Sequence, residues 1–129
     1  SRIPAFVEYA DAMMVREIPG VRLVNFGHLG DGNLHYNVQA PADSDPQVFL
    51  REQEAHVNHL VYEAVAQFGG SFSAEHGIGA LKVEKLEKYQ SPTALTMMRA
   101  IKAALDPQGT MNPGRVLSKT PPMPPAPAR

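Results

Sequence analysis

The stretch Phe26-Gly27-His28-Leu29-Gly30-Asp31-Gly32-Asn33-Leu34-His35-Tyr36-Asn37 decides how this chain is read. Val21 to Phe26 is rich in residues that suit a pleated strand, and Asn33 to Ala40 gives a second strand that Pro41 ends. Asp31-Gly32 between them is a strong signal for a two-residue type I′ turn, in which both central residues take positive φ. With that turn, His28 stands directly opposite His35, their Cβ atoms about 4.5–5.5 Å apart. Strand alternation puts His35, Asn37 and Gln39 on one face with His28, and sends Leu34, Tyr36, Val38 and Ala40 to the other. One face is polar and the other belongs to a core.

Helical signals flank this hairpin. Pro4 suits a first turn, and Phe6, Tyr9, Ala10, Met13 and Met14 recur at three- and four-residue spacing, which predicts a helix over 4–17 stopped by Pro19-Gly20. Asp45-Pro46 is an N-cap with a proline at N1. It opens a helix over 47–68, whose stripe is Phe49, Val57, Leu60, Val61, Ala64, Val65 and Phe68 and which Gly69-Gly70 closes. Ser71 to Ala74 reads as a short strand running into the sharp turn Glu75-His76-Gly77-Ile78-Gly79. Lys82, Glu84, Lys85, Glu87 and Lys88 make a solvated helix face. Ser91-Pro92 starts a last helix with the seam Leu95, Met98, Ile101, Lys102 and Leu105, ended by Asp106-Pro107-Gln108-Gly109; Met97 and Met98 read as core filler. Residues 120–129 form a proline-rich tail expected to be mobile and polyproline-like.

The predicted fold class is α+β, an antiparallel sheet with helices on one face. As a split βαβ unit this order lacks its first strand, so residues 1–119 read as a domain fragment cut from a longer chain. A neighbouring copy could fill the gap by strand addition, giving a homodimer.

Composition narrows the function. The 129 residues, 43% of them hydrophobic, suffice for one small core but not for a dinucleotide-binding enzyme with a separate substrate domain. Twelve Lys and Arg against thirteen Asp and Glu, with no basic block, argue against nucleic acid as a partner. No apolar run approaches the roughly 18 residues of a transmembrane segment, and the start Ser1-Arg2-Ile3-Pro4 lacks the pattern of a signal peptide. Without cysteine, any metal must be held by His, Asp or Glu, and the expected location is the cytoplasm.

The glycines at 27, 30 and 32 do not match a dinucleotide fingerprint, and no P-loop lysine accompanies them. His56 and His59 flank an apolar helix stripe and read as surface residues. His28 and His35 are therefore the candidate metal ligands, with Glu75 as the third. Two imidazoles, one carboxylate and an open position are the composition of a catalytic zinc site. His76, beside Glu75, is the candidate general base. Asn112-Pro113-Gly114-Arg115 by itself reads as a turn after a helix.

At these residues the chain resembles the C-terminal part of the FAD-linked oxidases that act on 2-hydroxy acids, the group of D-lactate dehydrogenase, the glycolate oxidase flavoprotein subunit and D-2-hydroxyglutarate dehydrogenase. The likeness is carried by Gly27-His28-Leu29-Gly30-Asp31-Gly32-Asn33-Leu34-His35, by Ser73-Ala74-Glu75-His76-Gly77-Ile78-Gly79, and by Ile101 to Pro107 continuing through Met111-Asn112-Pro113-Gly114-Arg115-Val116-Leu117. The resemblance implies a ferredoxin-like cap domain, a divalent metal, most often zinc, on His28, His35 and Glu75, and proton abstraction by His76. It also implies that Asn37 contacts a small 2-hydroxy acid substrate and that the Asn112 segment returns toward FAD. The flavin itself would be bound mainly by an N-terminal domain absent from this chain, so the fragment alone is expected to be inactive. The alternatives are a non-redox metal-binding or oligomerisation module, and hydrolysis by a metal-bound hydroxide.

Overall fold

The computed structural model describes residues 2–119; the proline-rich tail lies outside the described residues. The chain divides into two compact units, Ser1–Ala74 and Glu75–Arg129.

In the first unit, helix α1 (Ile3–Glu17) is followed by strands β1 (Arg22–Phe26) and β2 (His35–Gln39) and then by helix α2 (Pro46–Gln67). The strands pair antiparallel in a two-stranded sheet, with Arg22 opposite Gln39, Val24 opposite Asn37 and Phe26 opposite His35. The α+β class, the antiparallel sheet and the helices on one face are as the sequence predicts. Phe6, Ala10, Met13 and Met14 of α1 pack with Ala64 of α2, and the inward-facing Leu23, Tyr36 and Val38 close over them. Edge-to-face ring contacts of Phe6 with Tyr36 (5.9 Å) and Phe68 (5.8 Å) join sheet and helices through one side chain.

Local chemistry sets the helix ends. The Asp45 carboxylate accepts from the Gln47 (2.8 Å) and Val48 (3.2 Å) amides, with Pro46 at N1, as the sequence signals. The start of α1 has no side-chain cap. Instead the Arg2 guanidinium donates to the Phe68 carbonyl at 2.8 Å and lies 5.3 Å from the centre of the Phe68 ring, tying the start of α1 to the end of α2. Beneath the sheet Asp11 accepts from the Tyr36 hydroxyl (2.8 Å) and the Asn25 amide (3.1 Å). Burial, reinforced by that hydrogen bond and by the Asp11 charge, pushes the Tyr36 phenol well above its ordinary value, so it remains a donor.

The strand expected at 71–74 does not form. The Ser71 hydroxyl bonds the amide and carbonyl of Ser73 (3.3 and 3.1 Å), the local competition by which serine draws backbone out of a ladder.

The second unit holds helices α3 (Val83–Tyr89) and α4 (Pro92–Leu105), the latter capped by the Ser91 hydroxyl on the Ala94 amide at 3.2 Å. The charged run on α3 is not simply solvated. Glu87 accepts from Arg99 (2.9 Å) and from the Ser118 hydroxyl; chiefly the latter holds its carboxyl below the usual range. The predicted α4 seam is only partly buried: Leu95 is buried, but Ile101 and Leu105 are exposed, and Met97, expected as core filler, is 61% exposed. At 1.5 Å rise per residue, a seven-residue α3 cannot cover the full stripe of a fourteen-residue α4.

Burial therefore separates methionines that composition alone treats alike. Met14 is fully buried, so Met14→Ala is expected to cost about 2–5 kcal/mol of stability. Met97→Ala should stay within about 0.5 kcal/mol. Urea unfolding of both variants beside the parent measures the difference.

Candidate functional site

Two regions carry the residues singled out by the sequence, one in each unit. In the first unit the ladder ends at Phe26 and His35, and residues 27–34 connect the strands through a 3₁₀ turn over Leu29–Asp31. The carbonyl of His28 accepts from the amides of Asp31 (3.0 Å) and Asn33 (3.2 Å), and that of Leu29 accepts from Gly32 (3.2 Å). Gly32 takes the left-handed conformation (φ 74°), whereas Asp31 lies within the 3₁₀ turn. A type I′ turn needs positive φ at both central residues, so the tight hairpin predicted on Asp31-Gly32 does not form. His28 consequently leaves the ladder for an exposed loop, and Phe26 takes the place opposite His35. The expected pairing of His28 with His35 is thereby corrected.

Gly27 is the residue that lets the chain turn out of β1. A Cβ at this position would lie 2.4 Å from the Asn33 carbonyl oxygen and 3.0 Å from the Leu34 Cα, both backbone atoms.

Asn37 does lie on the outer face with His35, as alternation predicts. Its amide nitrogen donates to the Val24 (3.1 Å) and His35 (3.3 Å) carbonyls, which fixes the amide orientation and leaves its Oδ1 as the group it can offer a ligand. The half-buried imidazole of His35 stacks on the Phe26 ring, centroids 5.1 Å apart and planes 18° from parallel.

In the second unit Glu75 and His76 are exposed in a turn where Gly77 (φ 66°) and Gly79 (φ 55°) both take left-handed backbone. The Gly79 carbonyl accepts from the Val116 amide at 2.8 Å, so this turn is bonded to the segment that carries Asn112. Two non-glycine residues there also have positive φ, Asn112 (47°) and Val116 (65°); for a β-branched residue this is a strained conformation.

Asp106 organises that segment. Its carboxylate accepts from the Lys102 ammonium, from the Thr110 (2.9 Å) and Met111 (2.9 Å) amides, and from the Thr110 hydroxyl at 3.3 Å. Lys102 bonds the Met111 carbonyl as well. The Lys102 contact, aided by the two amides, holds the Asp106 carboxyl down to about 2. Sequence reasoning marks Asp106-Pro107-Gln108-Gly109 only as a helix end. The carboxylate's grip on amides four and five residues onward is a loop geometry that no local pattern encodes.

Within either unit, among the described residues, no three His, Asp or Glu side chains gather to hold a metal. The ligand set expected from the sequence draws on both units: His28 and His35 from the first, Glu75 from the second. No helix among the described residues is long and apolar enough to cross a membrane.

The hairpin loop, the glycine turn and the Asp106-bound segment all lie within a region that matches one protein family. Residues 1–116 match the FAD linked oxidases, C-terminal domain, and the chain belongs to that family. Among its relatives, the D-2-hydroxyglutarate dehydrogenase of Stutzerimonas stutzeri (strain A1501) is 43% identical over 117 residues, covering 91% of this chain and 25% of that protein. The protein from Bos taurus named D-2-hydroxyglutarate dehydrogenase, mitochondrial, is 45% identical over 95 residues, 74% of this chain and 16% of that protein. The chain thus spans about a quarter or less of the length of these relatives.

Two outcomes test the local geometry. Gly27→Ala is expected to cost about 1–3 kcal/mol by forcing backbone apart. Gly30→Ala, whose Cβ meets nothing within 4 Å, should change stability by less than about 0.5 kcal/mol in the same denaturant titration. Asp106, with a folded value below its ordinary 3.8, contributes stability that is fully present above about pH 4 and lost as the pH falls through about 2. In NMR spectra the Thr110 and Met111 amides should titrate together with a midpoint about 2, and Asp106→Asn should abolish the transition. A midpoint at the ordinary carboxylate value would show that Lys102 does not hold the group.

Proposed function

We propose that this chain is the substrate-side portion of a cytoplasmic, flavin-dependent dehydrogenase that oxidises a small 2-hydroxy acid to the 2-oxo acid. The observation that carries the reading is the family match over residues 1–116, which includes the first two motif stretches and all of the third but Leu117. The relatives' names make D-2-hydroxyglutarate the first substrate to try. Residues 1–119 are then a cap-domain fragment, and FAD is bound mainly by polypeptide beyond this chain.

The proposed roles follow from what each residue offers. His28, His35 and Glu75 are donors of the right chemistry for a divalent metal such as zinc. When bound, the flavin would accept a hydride and the metal would make the substrate hydroxyl more acidic. Asn37, with its amide hydrogens engaged by backbone, is proposed to contact the substrate through its Oδ1. His76, exposed in the glycine turn, takes the hydroxyl proton as the C2 hydride departs, leaving a carbonyl at C2. Asn112 is proposed to face the flavin; the backbone bond from Val116 to Gly79 ties its segment to the turn that carries His76.

A second reading, oligomerisation by strand addition, is favoured by one observation: among the described residues β1 and β2 form a two-stranded sheet, in which both are edge strands. Light scattering on the 129-residue chain tests it, a homodimer supporting the reading and a monomer removing it.

The full-length polypeptide is expected to reduce a dye acceptor with D-2-hydroxyglutarate. His76→Ala should lower kcat about 10²–10⁴-fold with a smaller effect on KM. An unchanged kcat would remove His76 from this role. The 129-residue chain alone should show neither flavin absorbance nor turnover.

A further inference from the structure

Residues 112–119 bring two cations onto one tightly closed piece of backbone. The Arg115 amide donates to the Asn112 carbonyl at 3.2 Å, closing a β-turn with Pro113 and Gly114 (φ 72°) at its centre, the residue pair that suits type II. The Leu117 amide then donates to the Arg115 carbonyl at 2.7 Å around Val116 (φ 65°), which makes a γ-turn of the rare, strained form with positive φ. Arg115 therefore stands where two turns meet, its own amide and carbonyl both engaged. Beyond it Leu117 is buried and the Ser118 hydroxyl donates to Glu87, so the chain leading to Lys119 is held as well. The Lys119 stem lies along Gly114, its Cγ and Cε 3.6 and 3.8 Å from where a Cβ would stand. Both cationic side chains are exposed, and among the described residues neither meets a carboxylate, whereas Lys102 is neutralised by Asp106.

Two like charges gathered on strained backbone raise the energy of the fold unless an anion joins them. We propose that Arg115 and Lys119 form an anion site for the carboxylate next to the hydroxyl-bearing carbon of the 2-hydroxy acid, with Arg115 as the principal contact. The inference rests on the reading of His76 as the base and adds the residues that hold the acid group beside it. Backbone supplies the placement: the Val116 amide, one residue from Arg115, donates to the Gly79 carbonyl at 2.8 Å, and Gly79 belongs to the turn that carries His76. A 2-hydroxy acid has its carboxylate and its hydroxyl on adjacent carbon atoms, so a site that takes both needs a fixed cation and a base on neighbouring segments. The planar guanidinium matches a carboxylate with two parallel N–H donors, and the ammonium adds a point charge.

The test uses the full-length polypeptide with D-2-hydroxyglutarate as the probe. Arg115→Gln is expected to raise KM about 10- to 100-fold, the loss of a charged hydrogen-bonded pair, while kcat stays within about threefold. Lys119→Gln should raise KM about 2- to 5-fold, as befits an exposed point charge. In Arg115→Ala, guanidinium ion added to the solution should lower KM again, a rescue that a purely structural arginine would not show. D-lactate, whose one carboxylate is next to the hydroxyl-bearing carbon, should compete with the probe, and its inhibition constant should rise with KM in Arg115→Gln; no competition, or a constant that does not move, overturns that placement. In the 129-residue chain, hydrogen exchange of the Val116 and Leu117 amides should be as slow in Arg115→Gln as in the parent, since both bonds are backbone. Arg115→Lys, which keeps the charge but not the fork, should fall between the two in KM and serves if Arg115→Gln loses that protection. An unchanged KM overturns the site, and flavin loss at that unchanged KM assigns the cations to a cofactor phosphate instead; in both cases the dehydrogenase reading stands. A parent polypeptide that oxidises no 2-hydroxy acid sinks that reading and this inference with it.

Discussion

The carbonyl of His28, accepting amide hydrogens from both Asp31 and Asn33, sets the path of the loop at the end of the β1–β2 hairpin. Those two bonds curl residues 29–31 into a 3₁₀ turn, and a tight two-residue turn is no longer available. The ladder must then close at Phe26 and His35, because Gly27 already lies against the Asn33 backbone too closely for a side chain. In a strand with a period of two, register decides both which face a residue occupies and what it meets across the ladder. What His35 meets across the ladder, the Phe26 ring, descends from that closure.

An analogous economy operates in the second unit. One carboxylate, Asp106, closes the end of α4, neutralises Lys102 and pins the amides of Thr110 and Met111. The chain that follows carries two non-glycine residues with positive φ, conformations that persist only where surrounding bonds over-determine them. The Val116 amide on the Gly79 carbonyl supplies one such bond and joins the segment to the glycine turn beside His76.

Both units contribute to the stretch that belongs to the FAD-linked oxidase C-terminal family. His28, His35, Asn37, Glu75 and His76, the residues proposed for the site, stand on loops and on a sheet face rather than in the core. Within the first unit, the core built from α1, α2 and the inner sheet face backs the strand that carries His35 and Asn37.

Much of this was legible in the residue order. Apolar spacing and the Asp45-Pro46 and Ser91-Pro92 caps located α1, α2 and α4, because these signals act within a few residues. Alternation assigned the two faces of β2 correctly, since strand period does not depend on the partner strand. The motif stretches likewise pointed to the family from residue identity alone. Tertiary structure decided what depends on competition among bonds. Asp31-Gly32 suits a type I′ turn locally, yet the His28 carbonyl drew the amides into a 3₁₀ turn and replaced His28 with Phe26 opposite His35. The α4 stripe looked like core throughout, but burial needs a covering surface, and a helix cannot specify from its own sequence how much of its length a neighbour will cover.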